Sequence, residues 1–314
     1  MPSQALQTQT DSDASRHAIV ASQGQLGLHN IPPPDDDRYQ IGDEEAAFYK
    51  AQTGIHDDRE LKEHIIRVQR KAYKVAPYTC VLVFAFLQFS VHKHPAYDKL
   101  VRIGNERKDA ILLDIGGFFG QEARKAAADA AYKPENIVVQ DLFDGFFPLG
   151  HELFRTTPST FPAHFVAGDA FDAKVLDIFP PAELGQAPPR HAMTNLESLN
   201  PLRGQFSVIY AAKFFHLFNE EKQLHLARAL AGLLSPEHGS MILGSHAGGK
   251  EKGLLTTERA GTRVSLFCHC PESWVAMWES DVFKTGQVKA EAWLKDMEYN
   301  GEMYCFLEWS VVRL

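Results

Sequence analysis

The stretch Ile111 to Ala131, ILLDIGGFFGQEARKAAADAA, constrains this chain more than any other. An apolar run, an acid, a glycine-rich turn and an alanine-rich helix follow one another, which reads as a strand–loop–helix unit. Such a unit binds an adenosyl cofactor at the carboxyl end of a parallel sheet. A dinucleotide fingerprint, G-x-G-x-x-G, needs its second glycine so that backbone can approach a pyrophosphate. Here the spacing is D-x-G-x-x-x-G, with Gly116 and Gly120 at the ends and Phe118 in the second-glycine position. Asp114 opens the loop; a carboxylate repels a pyrophosphate but suits the ammonium of a methionine moiety. S-adenosylmethionine (SAM) carries that ammonium, a sulfonium and no phosphate, so the loop favours SAM over NAD(P). The plainer reading is a strand–turn–helix whose glycines only permit the turn, and the features downstream decide against it.

From about Asp109 short apolar runs alternate with helical stretches, the pattern of βαβ units. The strands read as Ile111–Ile115, Ile137–Asp141, His164–Ala167, Phe206–Tyr210 and Ser240–Ser245. Asn219 caps the helix between the last two, with Leu224, Ala227, Leu230, Ala231 and Leu234 as its buried stripe. Val288–Glu298 and Glu302–Val312 read as two strands joined at Asn300-Gly301, a strong hairpin signal. The expectation is an α/β, Rossmann-like class I methyltransferase fold. Its mostly parallel seven-stranded sheet is closed by an antiparallel C-terminal hairpin and preceded by an N-terminal helical lid. Helices are expected over Asp43–Thr53, Asp58–Val75 and, after Pro77, Thr79–Ser90. Residues 1–37, rich in Gln, Ser and Asp and ending in Pro-Pro-Pro-Asp-Asp-Asp, read as a flexible tail. That divides the chain into a tail (1–37), a lid (38–100) and a SAM-binding domain (101–314).

Composition excludes some classes. A net charge of -8 lacks the basic stripe that nucleic acid or anionic lipid requires. The longest apolar run, Val81 to Phe89, is far short of the roughly 20 residues of a membrane helix. The opening residues lack the apolar core of a secretory signal. Four cysteines do not make a disulfide framework. A reducing, cytoplasmic setting is therefore expected, with no nucleic-acid or membrane partner, and a homodimer stays open. Cys268-His269-Cys270 invites a zinc reading, but paired zinc cysteines are usually spaced by two to four residues and need a fourth ligand. No metal is expected.

An adenosyl site next needs an acid at the end of the second strand to accept from both ribose hydroxyls. Asp141, followed by Leu142, stands there; it supports adenosine without choosing the cofactor. In Gly168-Asp169-Ala170-Phe171, Asp169 can accept from the adenine amino group, the Ala170 N–H can donate to the ring and Phe171 can cover the base. Ala211 and Ala212 allow close approach of the methionine part. Phe214, Phe215 and Phe218 can wall the reacting methyl. His216 reads either as a packed residue or as a catalyst.

These segments carry a family resemblance. KAQTGIHDDRELKEHI, AYKVAPYTC, LLDIGGFFGQEARKA, GHELFRTTPSTFP, GDAFD, SLNPLRGQFS, FFHLFNEEKQLHLARALAGLLSPEHGS, GSHAGGKEKG and CHCPESW resemble the fungal SAM-dependent methyltransferases of meroterpenoid biosynthesis, from about Phe48 to the C-terminus. Gln140, Tyr210 and Lys213 depart from the pattern beside the pocket. Several members of that family esterify a free carboxylic acid. The resemblance implies a carboxyl O-methyltransferase that uses SAM, releases S-adenosylhomocysteine (SAH) and acts on a small aromatic or terpenoid acid. A phenol or enol methyltransferase with a histidine base, or a SAM-binding protein without turnover, are the alternatives. The expected cofactor residues are Asp114, Gly116, Gly117, Gly120, Asp141, Leu142, Gly168, Asp169, Ala170, Phe171, Ala211 and Tyr78. Phe214, Phe215 and His246 are expected at the substrate, and His216, Tyr73 and His269 as catalytic groups. Tyr73 and Tyr78, on either side of the proline turn, are expected to close over the pocket.

Overall fold

The computed structural model describes residues 34–183, 185, 191–259, 262–299 and 302–314. Its centre is built from strands β1 (Leu112–Ile115) and β2 (Ile137–Asp141), in which every residue is buried. Burial on both faces is why they read as unbroken apolar runs. They join β3 (His164–Ala167), β4 (Val208–Ala212) and β5 (Met241–Ala247), all parallel. The hairpin of β8 (Val288–Tyr299) and β9 (Glu302–Arg313) adds antiparallel to β5. The seven-stranded order is β3-β2-β1-β4-β5-β9-β8, and the sheet is mostly parallel and closed by an antiparallel hairpin, as the sequence pattern predicts. It reverses direction between β1 and β4, and ligands of open α/β sheets bind at that crevice, at the carboxyl ends of the strands.

Helices α1 (Asp43–Thr53) and α2 (Asp58–Val75) form where periodicity places them. Gly54, at φ 70°, ends α1, and Asp57 caps α2 by accepting from the Glu60 N–H at 2.9 Å. The helix expected over Thr79–Ser90 is instead one turn, α3 (Thr79–Leu82), then Phe84 at φ 57° and a 3₁₀ turn over Ala85–Leu87. Phe84 is buried against Tyr39 and Phe86, so aromatic packing overrides helix propensity there. Four further helices are α4 (Tyr97–Glu106), α5 (Gln121–Asp129), α6 (Phe146–Leu153) and α7 (Glu220–Leu233). Asn219 caps α7 through Lys222 N–H at 3.0 Å.

Two elements have no counterpart in the sequence reading. Strands β6 (Gly253–Arg259) and β7 (Thr262–Cys268) make a separate hairpin, and α8 (Pro271–Ala276) runs on into a π-helical stretch over Met277–Val282. The Asn300-Gly301 turn lies outside the described residues, though its flanks pair in register through Tyr299 and Glu302. Most of the expected tail also lies outside them; Asp36, in a 3₁₀ turn, pairs with Arg70 at 2.8 Å.

Apolar packing positions the site. One sheet face, with Leu113, Val138, Ile209 and Ile242, buries α7 and the tryptophans Trp274, Trp278 and Trp309. The other face, with Leu112, Val139 and Val208, buries α4 and α5. A third cluster joins α2 and α3 to Phe118, Phe119, Phe143 and Phe146, which follow β1 and β2. The N-terminal helices therefore sit over the ligand end of the sheet. Close approach of β4 and β5 depends on Gly244, where an added Cβ would lie 2.1 Å from the Ala211 carbonyl oxygen. Gly244→Ala should cost about 1–3 kcal/mol by overpacking. A thermal melt checks this, and an unchanged Tm would show that the strands can part freely.

Candidate active site

The loop after β1 turns on three left-handed residues: Gly116 (φ 68°), Phe118 (φ 53°) and Gly120 (φ 71°). For a phenylalanine this conformation is a genuine outlier. Its N–H donates to Asp141 Oδ2 at 3.0 Å, and its ring packs 4.1 Å from that of Phe146. A Cβ on Gly116 would lie 2.7 Å from the Phe214 ring, so the loops after β1 and β4 touch there. Gly117 N–H donates to the Gln140 carbonyl at 3.0 Å, and Gly168 N–H to the Asp141 carbonyl at 2.9 Å. The strand ends expected to hold adenosine are thus tied to one another.

Asp141 is 9% exposed, and Oδ1 accepts from Phe143 N–H at 3.3 Å. Burial raises its pKa to about 6, against the pull of the Phe143, Phe118 and Leu142 N–H groups. Carboxylate oxygens have further lone pairs, which remain for ribose hydroxyls. Tyr78 packs on Phe143 and Phe146 at 6.0 Å, and its hydroxyl is raised by burial and by the charge of Asp141. It roofs the end of β2. Tyr73 is half-buried in the same aromatic cluster. Asp169 Oδ1 accepts from Phe171 N–H at 2.9 Å beside buried Ala170, and Phe171 is braced edge-on by Phe218 at 4.7 Å. Ala211 is fully buried, at the end of β4.

Three expectations change. Asp114 is 2% exposed and lies beneath the loop with Glu122 and Tyr210, not in the cleft facing an ammonium. Strand alternation puts it on the face covered by α4 and α5. Burial, then the charge of Glu122, raise its pKa well above the carboxylate range. Phe215, expected in the substrate wall, is wholly buried, edge-on to Trp274 at 5.0 Å and Trp309 at 5.5 Å. His246 is also fully buried, so it can meet a substrate only inside a closed pocket and not from an open surface. Phe214 does stand at the loop, half-buried.

The three candidate histidines come from separate segments yet converge around Trp274. The rings of His246 and His269 lie 4.6 and 5.3 Å from it, and His216 is close enough to lower the pKa of His246. Trp309 Nε1 donates to His246 Nδ1 at 2.9 Å, and Ala247 N–H to His216 Nδ1 at 3.4 Å. His269 Nδ1 meets Ser273 Oγ at 2.9 Å. Burial, then the neighbouring histidines, hold His246 well below its ordinary range; burial and the charge of Lys252 take His269 to about 4. The Nε2 atoms of His246 and His269 have no partner among the described residues. Sequence reasoning missed Trp274 and Trp309, because nothing local marks an indole that meets a histidine 63 positions away. Among the described residues no group of three or more His, Cys, Asp or Glu is placed to hold a metal ion, and neither Cys268 nor Cys270 is in a disulfide. No described helix is long and apolar enough to cross a membrane.

The residues fit SAM. Asp141 ends β2 and Asp169 follows β3, where ribose and adenine belong. Strand order and loop together define a class I methyltransferase. Residues 35–87 match the family described as the meroterpenoid methyltransferase N-terminal domain. The chain is 34% identical to O-methyltransferase phiE of a fungal species, over 77% of this chain and 72% of that protein. It is 30% identical to the asnovolin E/chermesin D methyltransferase nvfJ of Aspergillus novofumigatus, over 79% and 82%. It belongs to the fungal meroterpenoid methyltransferases. Among solved structures, the one described as the DhpI–SAH complex aligns over 81% of this chain and 96% of its own at 9% identity, with a TM-score of 0.39.

Proposed function

We propose that the protein transfers a methyl group from SAM to the carboxylate of a small aromatic or terpenoid acid, giving a methyl ester and SAH. The observation that carries this reading is the hydrogen bond from Trp309 to His246 Nδ1. An indole N–H can only donate, so the His246 ring is the neutral Nε2–H tautomer. Its remaining nitrogen offers a proton and no lone pair. The Ala247 N–H puts His216 in the same state. Such donors orient an acceptor but abstract nothing. A carboxylic acid with a pKa near 4 arrives ionised and needs no base. Neutral donors also leave the carboxylate nucleophilic.

When bound, SAM supplies an electrophilic methyl on its sulfonium. Asp141 and the loop from Gly116 to Gly120 hold the nucleoside in this reading, and Tyr78 and Tyr73 keep water out. Proximity of that kind contributes several kcal/mol. An oxygen acceptor agrees with the name of the relative phiE, an O-methyltransferase.

One observation favours an ether product. If Ser273 Oγ gives its proton to the Cys270 carbonyl, 3.1 Å away, His269 donates from Nδ1 and keeps a lone pair on Nε2. A base with a pKa of about 4 is weak for a phenol. Methyl-labelled SAM, with a panel of aromatic and terpenoid acids and matching phenols, separates the two. The ester reading expects label on the acids that mild alkali removes; alkali-stable label on phenols alone would overturn it.

A further inference from the structure

Lys213 follows β4 directly, at the crevice where the sheet order reverses. Its backbone is left-handed, φ 52°, which a residue other than glycine adopts uncommonly. The turn is held by its N–H donating to the Ser245 carbonyl, and it delivers the next residue, Phe214, onto Gly116. The side chain is exposed and makes no ion pair among the described residues. Two groups on other elements mark where it stands. Cys80, on α3, is solvent-accessible yet walled by protein, and its thiol is pushed up to about 11 by burial, with Lys213 pulling it down and Asp141 pushing it up. Lys213, just past β4, Cys80, on the lid, and Asp141, at the end of β2, are therefore near enough to feel one another's charge at the ligand end of the sheet.

We propose that the Lys213 ammonium is the cation of a carboxylate-binding site at the mouth of this cleft. The inference rests on the reading above, in which two carboxylates enter: that of the cofactor's methionine moiety and that of the acid substrate. Either is the chemistry an unpaired ammonium beside a half-buried aromatic takes, and its charge offsets those of Asp141 and Asp169 at the ends of β2 and β3. As a point charge it gives up its water and turns to whichever carboxylate arrives.

The test uses the full chain with Lys213→Met and Lys213→Arg. SAH and 5′-methylthioadenosine, which lacks the amino-acid tail, are titrated by calorimetry, and KM and kcat are taken on the panel of acids. If the site holds the cofactor's carboxylate, Lys213→Met weakens SAH about 10-fold or more, leaves 5′-methylthioadenosine unchanged, and Lys213→Arg restores most of the loss. If it holds the substrate's, SAH is unaffected and KM for the acid rises about 10-fold or more with kcat nearly constant. SAH affinity and acid KM both within about twofold of wild type would overturn the site. So would unchanged SAH binding in an enzyme that methylates only phenols. Weakened SAH in such an enzyme would keep the site and remove the acid reading alone.

Discussion

Asp141→Ala loses at least about 100-fold in affinity for SAH. Two hydrogen bonds from ribose hydroxyls to a carboxylate contribute about 1.5–3 kcal/mol each. The substitution also strips Phe118 and Phe143 of the acceptor that holds both loops, so the cost exceeds the ribose contacts. Asp141→Asn separates the two losses. An amide keeps one acceptor but turns an N–H toward a backbone N–H, so the loop at Phe118 opens even though the shape is kept. Calorimetric titration with SAH measures both variants, and near-wild-type affinity in Asp141→Ala would remove Asp141 from the cofactor site.

The same residue makes binding depend on pH. Its folded-state pKa of about 6 stands above the ordinary aspartate value of 3.8, through burial. Ribose hydroxyls need the ionised form, so SAH affinity is full above about pH 7 and falls as pH drops through 6. The stability of the free protein moves the other way on this account. A raised acid binds its proton in the folded chain before the unfolded one, so this group adds stability as pH falls from about 6 towards 4, and withholds about 3 kcal/mol above it. SAH titrations between pH 5 and 8 should follow one proton, and a flat profile would contradict the assignment.

His246→Phe should lower kcat/KM on the acid about 100-fold, the scale of one oriented donor lost from a buried site. SAH affinity should stay within about twofold. Some stability goes too, about 1–3 kcal/mol, because the Trp309 N–H is left buried without an acceptor. His246→Gln puts an amide N–H near the place of Nε2 and should recover part of the rate. The wild-type rate on an acid should be level from about pH 7 to 8.5, since His246 is held well below 6.5 and His269 titrates at about 4. Undiminished kcat/KM in His246→Phe would remove the donor role. A rate that climbs with pH through 7–8 would point to a base.

Much of the fold is written in local pattern. Helices α1 and α2 and strands β2 and β3 lie at the residues the sequence pattern marks; for the helices the bounds are local, since Gly54 ends α1, Asp57 caps α2 and Pro77 follows it. The α3 segment was not legible. Val81 to Phe89 is apolar at every position but Gln88, so no periodicity shows that Phe84 will break the helix to pack on Tyr39 and Phe86. The β6–β7 hairpin escaped for a different reason: in β6 the neighbours Leu254 and Leu255 are 73% and 43% exposed, so no alternation of buried and solvent faces announces it.

At the site, types and spacing in the chain determined which residues gather: a glycine loop, an acid at the end of β2, Gly168 to Phe171 at the end of β3. Each is a short-range unit whose backbone conformation and place along a strand follow from its own neighbours. Which atom faces the cleft was decided only by the tertiary structure. The side of the sheet covered by α5 took Asp114 out of the cleft; packing among three tryptophans took Phe215 into the core; and an indole from β9 chose the tautomer of a histidine on β5. Burial and the donor or acceptor state of an imidazole depend on partners distant along the chain, and those partners exist only once the sheet has closed.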